Sequence, residues 1–277
     1  MQIFAPAKIN LSLRILARRA DGFHEIETFI APISLADELT LTRSGAGRRI
    51  QFNCTDSSIP QGDENLVVQA ARKFFEATKI EPEVSIELKK NIPHGAGLGG
   101  GSSDAAAVLL GLNRLFDTNL AREALADLAA GIGSDVPFFV FGKPALCRGR
   151  GELVGPQELR EKFSLLLLKP DFGIPSAWAY RHWQGSLEIP GVAYGFQEFN
   201  GHRFVNDLER PAFEKFPFLS RLKNWLLEQP EVAVALMSGS GSTIFAVLQD
   251  DAEGDELAKR AKAKLDPRLW TWEGRTC

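Results

Sequence analysis

The chain has 277 residues, 44% of them hydrophobic, which is enough to bury a substantial core in one large domain or two packed parts. With 32 Lys and Arg against 35 Asp and Glu, its net charge is -3, which excludes the strongly basic balance of a nucleic-acid binder. Its longest apolar runs are far shorter than the roughly 20 residues of a membrane helix, and the N-terminus lacks a secretory signal pattern, so we expect a cytoplasmic protein.

The hydrophobic pattern mixes strands and helices along the first part of the chain. Apolar residues alternate with polar ones over residues 9–15, which predicts a strand with Lys8 and Asn10 on one face. A helix over the apolar positions of residues 66–75 is predicted behind the cap candidate Asp63. After the strand pattern of residues 84–88, helices are predicted from Ser103 to about Phe116 and from Arg122 to about Gly131.

The pattern restarts after Gly149-Arg150-Gly151 with a predicted strand over residues 163–168. Two apolar runs flank the segment Ser238 to Ser242, and a charged helix is predicted over residues 255–264. We therefore expect an α+β protein with a first domain over residues 1–154 and a second over residues 155–277.

Five glycines lie in the segment Pro93 to Asp104, between a predicted strand and a predicted helix. Glycine lets backbone N–H groups converge on an anion, and the start of a helix adds unpaired N–H groups and a positive dipole end. A flexible linker does not usually run straight into a capped apolar helix, so the pattern indicates a phosphate loop. The candidate ATP-binding residues are Pro93, Gly95, Gly97, Leu98, Gly99, Gly100, Gly101, Ser102 and Ser103.

The two serines at the end of this loop have two possible roles. Either hydroxyl can cap the following helix, and either can reach a phosphate-bound Mg²⁺ ion. The sequence leaves both roles open.

Other readings of the glycines fit less well. Gly95-x-Gly97-x-x-Gly100 satisfies a dinucleotide fingerprint, but the next 30 residues are predicted as two helices instead of a helix and a second strand ending in an acidic residue. The P-loop pattern with its lysine is absent, as is the serine hydrolase elbow. The three cysteines and four histidines lack metal-ligand spacing, so no metal site is predicted.

Asp135 lies in Gly133-Ser134-Asp135-Val136-Pro137, beside an apolar run that begins with Val136 in an extended conformation before Pro137. A carboxylate there needs a partner, and Lys8 is a reasonable cation for it. Such a pair suits phosphoryl transfer, with Asp135 taking the proton of the attacking hydroxyl and Lys8 stabilising charge on the phosphate. Asp135 as a turn or cap carboxylate and Lys8 as a solvated lysine remain alternatives, and Ser238 to Ser242 is either a second anion loop or a hairpin connection.

These segments together resemble the GHMP small-molecule kinases over nearly the whole chain. The resemblance is carried by four motifs: Pro6 to Leu11, Pro93 to Asp104, Gly133 to Pro137, and Ser238 to Gly241. Residues 19–28, with Gly22-Phe23-His24, are similar to a segment that marks one branch of that family, whose substrate carries a cytidine diphosphate group.

The resemblance implies a two-domain α+β fold with the active site in the cleft between domains, and ATP with Mg²⁺ as cofactors. It implies a small-molecule substrate, whereas the charge balance and the short apolar runs are what argue against nucleic acid or a membrane as partner. It also implies that Lys8 and Asp135 are catalytic, that Asn10 lines the site, and that His24 and Lys90 contact the cytidine diphosphate. Phe23 and Tyr180 would sandwich the cytosine; Phe23 stands where the family usually has tyrosine, and stacking needs only the ring face. Tyr180 as a core residue remains an alternative.

Three competing functions are left open. Another GHMP kinase, acting on mevalonate, homoserine or a sugar, would share the phosphate loop without Gly22-Phe23-His24. A nucleotide-binding module would bind ATP without turnover, although the presence of both Lys8 and Asp135 argues against it. A nicotinamide-dependent oxidoreductase rests on the glycine fingerprint alone.

Overall fold

The computed structural model describes residues 1–43, 49–249 and 252–277. Its strands are β1 (Gln2–Arg18), β2 (His24–Arg43), β3 (Ile50–Cys54), β4 (Val84–Lys89), β5 (Ala145–Arg148), β6 (Leu153–Pro156), β7 (Ser164–Lys169), β8 (Gln197–Phe199), β9 (His202–Asn206), β10 (Val232–Met237), β11 (Ile244–Leu248) and β12 (Trp270–Arg275). Its helices are α1 (Leu66–Thr78), α2 (Gly100–Leu115), α3 (Arg122–Ala130), α4 (Val136–Phe141), α5 (Ser176–His182), α6 (Glu209–Lys215), α7 (Pro217–Leu227) and α8 (Gly254–Lys264).

The strands form two sheets. The larger sheet has the order β3-β4-β2-β1-β9-β8, with β5 paired to β2 and β6 paired to β5, and the smaller has the order β10-β11-β7-β12. In the larger sheet β1 runs antiparallel to β2 and parallel to β9, whereas every pairing of the smaller sheet is antiparallel. Helices and strands occur in both parts of the chain, so the predicted α+β class is confirmed.

The structure has four layers: helices, the larger sheet, the smaller sheet and further helices. An apolar cluster lies between each pair of neighbouring layers. One cluster packs α1 to α4 against the larger sheet, and another packs α6 to α8 against the smaller sheet. The third lies between the sheets, where Ile9 and Ile33 meet Leu165 and Phe245. This sandwich fixes β1, and with it Lys8, relative to the β10–β11 connection.

The predicted division at residues 154 and 155 stays a prediction. That boundary falls inside β6, and β8 and β9 from the later part of the chain extend the larger sheet. The longest helix among the described residues, α2, has 16 residues, and no described helix has the length and apolar character needed to cross a bilayer.

Three local predictions are corrected by the structure. Asn65, not Asp63, caps α1, because its side chain accepts a hydrogen bond from the Val67 N–H. Helix α2 begins at Gly100, three residues before the predicted start, after Gly99 in a left-handed conformation. Val136 begins helix α4 instead of being extended, since proline is well accommodated in the first turn of a helix.

Candidate active site

A cleft of about 830 Å³ collects nearly all of the predicted site residues. Its walls come from β1, from the glycine loop and the start of α2, from the start of α4, from α5, and from the β10–β11 connection. The predicted residues that line it are Lys8, Asn10, Phe23, His24, Lys90, Pro93, Gly95, Gly97, Leu98, Gly99, Gly100, Gly101, Ser102, Asp135 and Tyr180. Ser103 does not line it: its side chain is buried, and its Oγ has no hydrogen-bond partner in the described structure.

The glycine loop has the backbone of an anion-binding loop. Gly95, Gly97 and Gly99 have φ angles of 63°, 74° and 70°, so every second residue is left-handed, a conformation that glycine adopts without steric cost. Helix α2 follows directly, and the N–H groups of its first turn have no acceptor inside the helix. Alternating handedness and a helix start are the backbone features with which N–H groups can bind an anion, and both border the cleft.

Two of these glycines are also required by packing. A Cβ atom on Gly97 would lie 2.1 Å from the Ser238 carbonyl oxygen, and one on Gly99 would lie 2.8 Å from Phe139 Cζ. Gly101 differs, because a Cβ there would meet only Leu66 Cδ1, at 3.7 Å, an ordinary contact.

Lys8 is buried at the floor of the cleft. Its Nζ donates to Asn10 Oδ1 at 2.6 Å and to the Gly97 carbonyl at 2.9 Å. Burial lowers the pKa of Lys8, and the negative charge of Asp135 opposes that effect. The ammonium is thus held at the end of the phosphate loop, in the field of the predicted base.

Asn10 is oriented by a residue that the sequence analysis did not identify. Its Nδ2 donates to Thr28 Oγ1 at 2.8 Å, and Thr28 Oγ1 donates to the Ser12 carbonyl at 2.6 Å. This chain fixes the amide so that its oxygen faces Lys8. Thr28 lies at the end of the family-like segment, which was the one sequence signal that could have indicated it.

Asp135 lies at the residue before α4, and its carboxylate makes no capping hydrogen bond with that helix. No ion pair within 4.0 Å joins it to Lys8 in the described structure, so the expected contact between the two is not made. It lines the cleft together with Lys8 and Tyr180, and its negative charge opposes the lowering of the Lys8 pKa and adds to the raising of the Tyr180 pKa. A half-buried carboxylate without a local cap can accept a proton from an alcohol in the cleft.

The predicted cytosine residues form an aromatic group on another wall. The His24 ring stacks on Tyr180 with centroids 5.6 Å apart and meets Trp183 edge-on at 6.1 Å. Phe23 is half-exposed, with the Arg150 guanidinium carbon 4.8 Å from its ring centroid. Tyr180 therefore packs against His24, and Arg150 covers Phe23, a contact that the sequence did not indicate. Partial burial, with the charge of Arg18, lowers the pKa of His24 and favours the neutral imidazole at pH 7.

Lys90 lines the cleft but already has two carboxylate partners. Its Nζ binds Asp37 and lies 2.8 Å from Asp104 Oδ2, and all three side chains are almost fully buried. Burial raises the pKa of Asp104 to about 7, although the charge of Lys90 opposes the shift. Lys90 thereby links β2, β4 and the start of α2, and its predicted contact with substrate stays a prediction.

Ser102 is the candidate side-chain contact for a phosphate-bound metal ion. Among the described residues, no cluster of three His, Cys, Asp or Glu side chains could hold a metal ion. The Ser102 side chain, in the first turn of α2, lies on the cleft and can offer its hydroxyl to an ion bound by phosphates.

Comparison with known proteins adds independent findings. The profile described as GHMP kinases N terminal domain matches residues 65–143, and the one described as GHMP kinases C terminal matches residues 196–266. A curated relative from Methylacidiphilum infernorum, named 4-diphosphocytidyl-2-C-methyl-D-erythritol kinase, is 42% identical over 96% of this chain and 93% of its own length. A relative of the same name from Geobacter metallireducens is 38% identical over 92% of each chain.

Solved structures give the same picture. A crystal structure of 4-(cytidine 5'-diphospho)-2C-methyl-D-erythritol kinase superimposes with a TM-score of 0.79 and 36% identity, covering 100% of this chain and 99% of the other. A homoserine kinase from Cytophaga hutchinsonii has a TM-score of 0.71 at 18% identity, covering 100% and 94% of the two chains, which shows a shared fold alone.

Proposed function

We propose, from the premise that the chain belongs to the GHMP kinases, that it transfers the γ-phosphate of ATP to the 2-hydroxyl of 4-diphosphocytidyl-2-C-methyl-D-erythritol. The products are the 2-phosphate and ADP, in the non-mevalonate pathway of isoprenoid precursor biosynthesis. Family membership confirms the predicted kinase class and two-domain α+β architecture. Because the reaction consumes ATP and a nucleotide-linked alcohol, we infer a cytoplasmic enzyme.

One observation carries this proposal: the phosphate loop, Asp135 and the rings of Phe23, His24 and Tyr180 line the same cleft. A phosphoryl donor and a nucleobase-bearing acceptor can therefore be held together with a proton acceptor near them. The likeness to relatives that carry the cytidine-linked name supports this acceptor over mevalonate, homoserine or a sugar.

The chemistry follows from the positions of Asp135 and Lys8. The substrate oxygen forms a bond to the γ-phosphorus while the bond from that phosphorus to the oxygen bridging it to the β-phosphate breaks. Asp135 accepts the proton of the attacking hydroxyl, and ADP leaves carrying the negative charge. Lys8, already donating to the Gly97 carbonyl, lies where its remaining N–H can stabilise charge on the transferring group.

The glycine loop and the start of α2 are assigned to ATP, and the aromatic side chains are assigned to the cytosine. Backbone N–H groups at the start of α2 hold the ATP phosphates, and Ser102 is the side chain we assign to the Mg²⁺ bound there. That ion would neutralise phosphate charge and orient the leaving group. Phe23 and Tyr180 stack on the cytosine, and neutral His24 offers it a hydrogen bond.

A coupled ADP-release assay with ATP and Mg²⁺ tests the proposal. The acceptors are the cytidine-linked erythritol, mevalonate, homoserine and galactose, and we expect turnover above background with the first alone. Asp135→Asn should abolish that signal, whereas Asp127→Asn, on the exposed face of α3, is the matched control and should retain it. Preferred turnover of another acceptor would refute the substrate assignment. ATP binding without turnover of any acceptor would refute the proposed kinase activity.

A further inference from the structure

The side chain of Asn206, at the end of β9, is buried beneath the β10–β11 connection. Its Nδ2 donates to the carbonyls of Met237 and Gly239, at 2.7 Å each, and its Oδ1 accepts from the Leu208 N–H at 2.9 Å. We propose that Asn206 is a positioning residue for the kinase reaction, which holds the connection Ser238–Ser242 against Lys8 and the phosphate loop. This inference rests on the function proposed above.

The connection donates a hydrogen bond to the phosphate loop and lies next to Lys8. Ser238 Oγ donates to the Gly97 carbonyl at 3.0 Å, the same oxygen that accepts from Lys8 Nζ at 2.9 Å. A Cβ atom on Gly239 would lie 3.1 Å from Lys8 Nζ. The two carbonyls held by Asn206 flank Ser238, so the amide fixes the residue that shares an acceptor with the catalytic lysine.

Asn206 is itself held by its neighbours in sequence. The Asp207 carboxylate accepts from the Ile15 N–H at 2.8 Å, which ties the segment to β1, the strand that carries Lys8. Glu209 Oε1 accepts from the Met237 N–H at 2.9 Å, and its Oε2 accepts from the buried Lys223 ammonium at 2.6 Å. Met237 is thus fixed through its N–H by Glu209 and through its carbonyl by Asn206.

The hydrogen bonds made by residue 206 require a side-chain amide. Two donors and one acceptor converge within one short side chain, and among the amino acids of this length only asparagine provides them. Removing the amide leaves two buried carbonyls without their donor, so the connection must move or admit water. Because Ser238 of the connection and Lys8 share the Gly97 carbonyl as acceptor, we expect the rate of the chemical step to fall more than the affinity for either substrate.

Asn206→Ala, compared with Asn113→Ala, tests this inference. Asn113 is a matched control because it also bonds backbone groups, those of Leu120, but lies far from the cleft at the end of α2. We expect Asn206→Ala to lower kcat by about tenfold to a hundredfold, the size of effect that slight misplacement of a reacting group produces, with both KM values changed by less than about threefold. Asn113→Ala should keep kcat. Equal kcat values in the two variants, or a rise in KM alone, would overturn the inference.

Ser238→Ala supplies a second, independent variant. It breaks the bond to Gly97 without disturbing Asn206, and we expect a smaller loss of kcat with both KM values retained. The double variant should be no slower than Asn206→Ala alone, because both changes act through one connection. If the losses of kcat multiply in the double variant, Asn206 acts elsewhere than through the connection, and the inference is wrong. If Asn206→Ala does not fold, full activity of Ser238→Ala would overturn the inference.

Hydrogen exchange separates this inference from the proposed function. Without substrate, the amides of residues 237–243 should exchange at least about tenfold faster in Asn206→Ala than in the wild type. In Asn113→Ala their exchange rates should equal those of the wild type. Unchanged exchange in both variants would refute the positioning role even if the kinase assay succeeds. A wild type without kinase activity would refute the proposed function, and exchange alone would then decide whether Asn206 holds the connection.

Discussion

Substitution of Gly101 should separate ATP binding from folding. An added Cβ meets only Leu66 Cδ1 at 3.7 Å, and the residue lies inside helix α2 without a left-handed φ. Replacing glycine by alanine within a helix usually stabilises a protein by about 0.5 to 1 kcal/mol. The new methyl group would nevertheless project into the cleft, where phosphate must approach the backbone closely. We therefore expect opposite effects on the two quantities.

For Gly101→Ala we expect the free energy of unfolding to be unchanged or raised by up to about 1 kcal/mol. ATP affinity should fall at least about tenfold, equivalent to about 1.4 kcal/mol. Urea unfolding measures the first quantity and titration calorimetry with Mg²⁺-ATP the second. Gly195→Ala is a control, since a Cβ there meets nothing within 4 Å and the residue does not line the cleft.

Wild-type ATP affinity in a folded Gly101→Ala protein would refute the assignment of phosphates to this loop. Gly99→Ala cannot make the same distinction. Its left-handed φ of 70° and the clash with Phe139 would cost stability as well as binding.

Four further predictions test other residues in and around the cleft. Asp135→Ala should lower kcat at least about a hundredfold and leave the affinities for ATP and substrate within a few fold, and single-turnover kinetics with near wild-type rates would disprove its role as base. Phe23→Ala should weaken CDP binding by about 1 to 3 kcal/mol and Phe23→Tyr by almost nothing, and calorimetry showing equal CDP binding by all three proteins would place Phe23 outside the base site. Lys90→Met should lower the free energy of unfolding, measured with urea, by about 3 to 5 kcal/mol, because it leaves two carboxylates buried without a cation. A raised substrate KM at wild-type stability would instead favour a direct contact between Lys90 and the substrate. Because the pKa of Asp104 is raised to about 7, its protonated form favours the fold at low pH, and this contribution is lost as pH rises from about 4 to about 7. Urea unfolding across that range should therefore show a flatter dependence on pH for Asp104→Asn, and an unchanged slope would refute the raised pKa.

The motifs that could be predicted from the sequence are those formed by residues that are contiguous in the chain. The loop Pro93 to Ser103 could be predicted as a phosphate loop because glycine spacing and a following helix are both properties of contiguous residues. The start of α2 was placed three residues late, because the sequence gives no sign that Gly99 adopts the left-handed conformation from which the helix begins. The extended conformation predicted for Val136 was wrong because Pro137 lies in the first turn of α4, where its missing N–H is not needed.

The unpredicted features join residues that are distant in sequence. Lys90 and Asp37 are 53 positions apart, and Asn206 and Met237 are 31 apart. A polar residue in a single sequence gives no indication of its partner, so Lys90 could be assigned only through family resemblance. The sequence does not decide whether Ser238 to Ser242 is an anion loop or a hairpin connection; the structure shows a hairpin connection that donates a hydrogen bond to the glycine loop.

The hydrogen bond from Ser238 to Gly97 spans 141 residues of sequence. Because closing a loop of this length costs more entropy than closing a short one, we expect this contact to form after the local contacts. The phosphate loop therefore has its full support only after the β10–β11 hairpin has docked. A nascent chain released before residue 243 would contain every loop glycine and still lack that support. Under the proposed function, ATP bound at this loop would stabilise the folded chain in which these two distant segments have met.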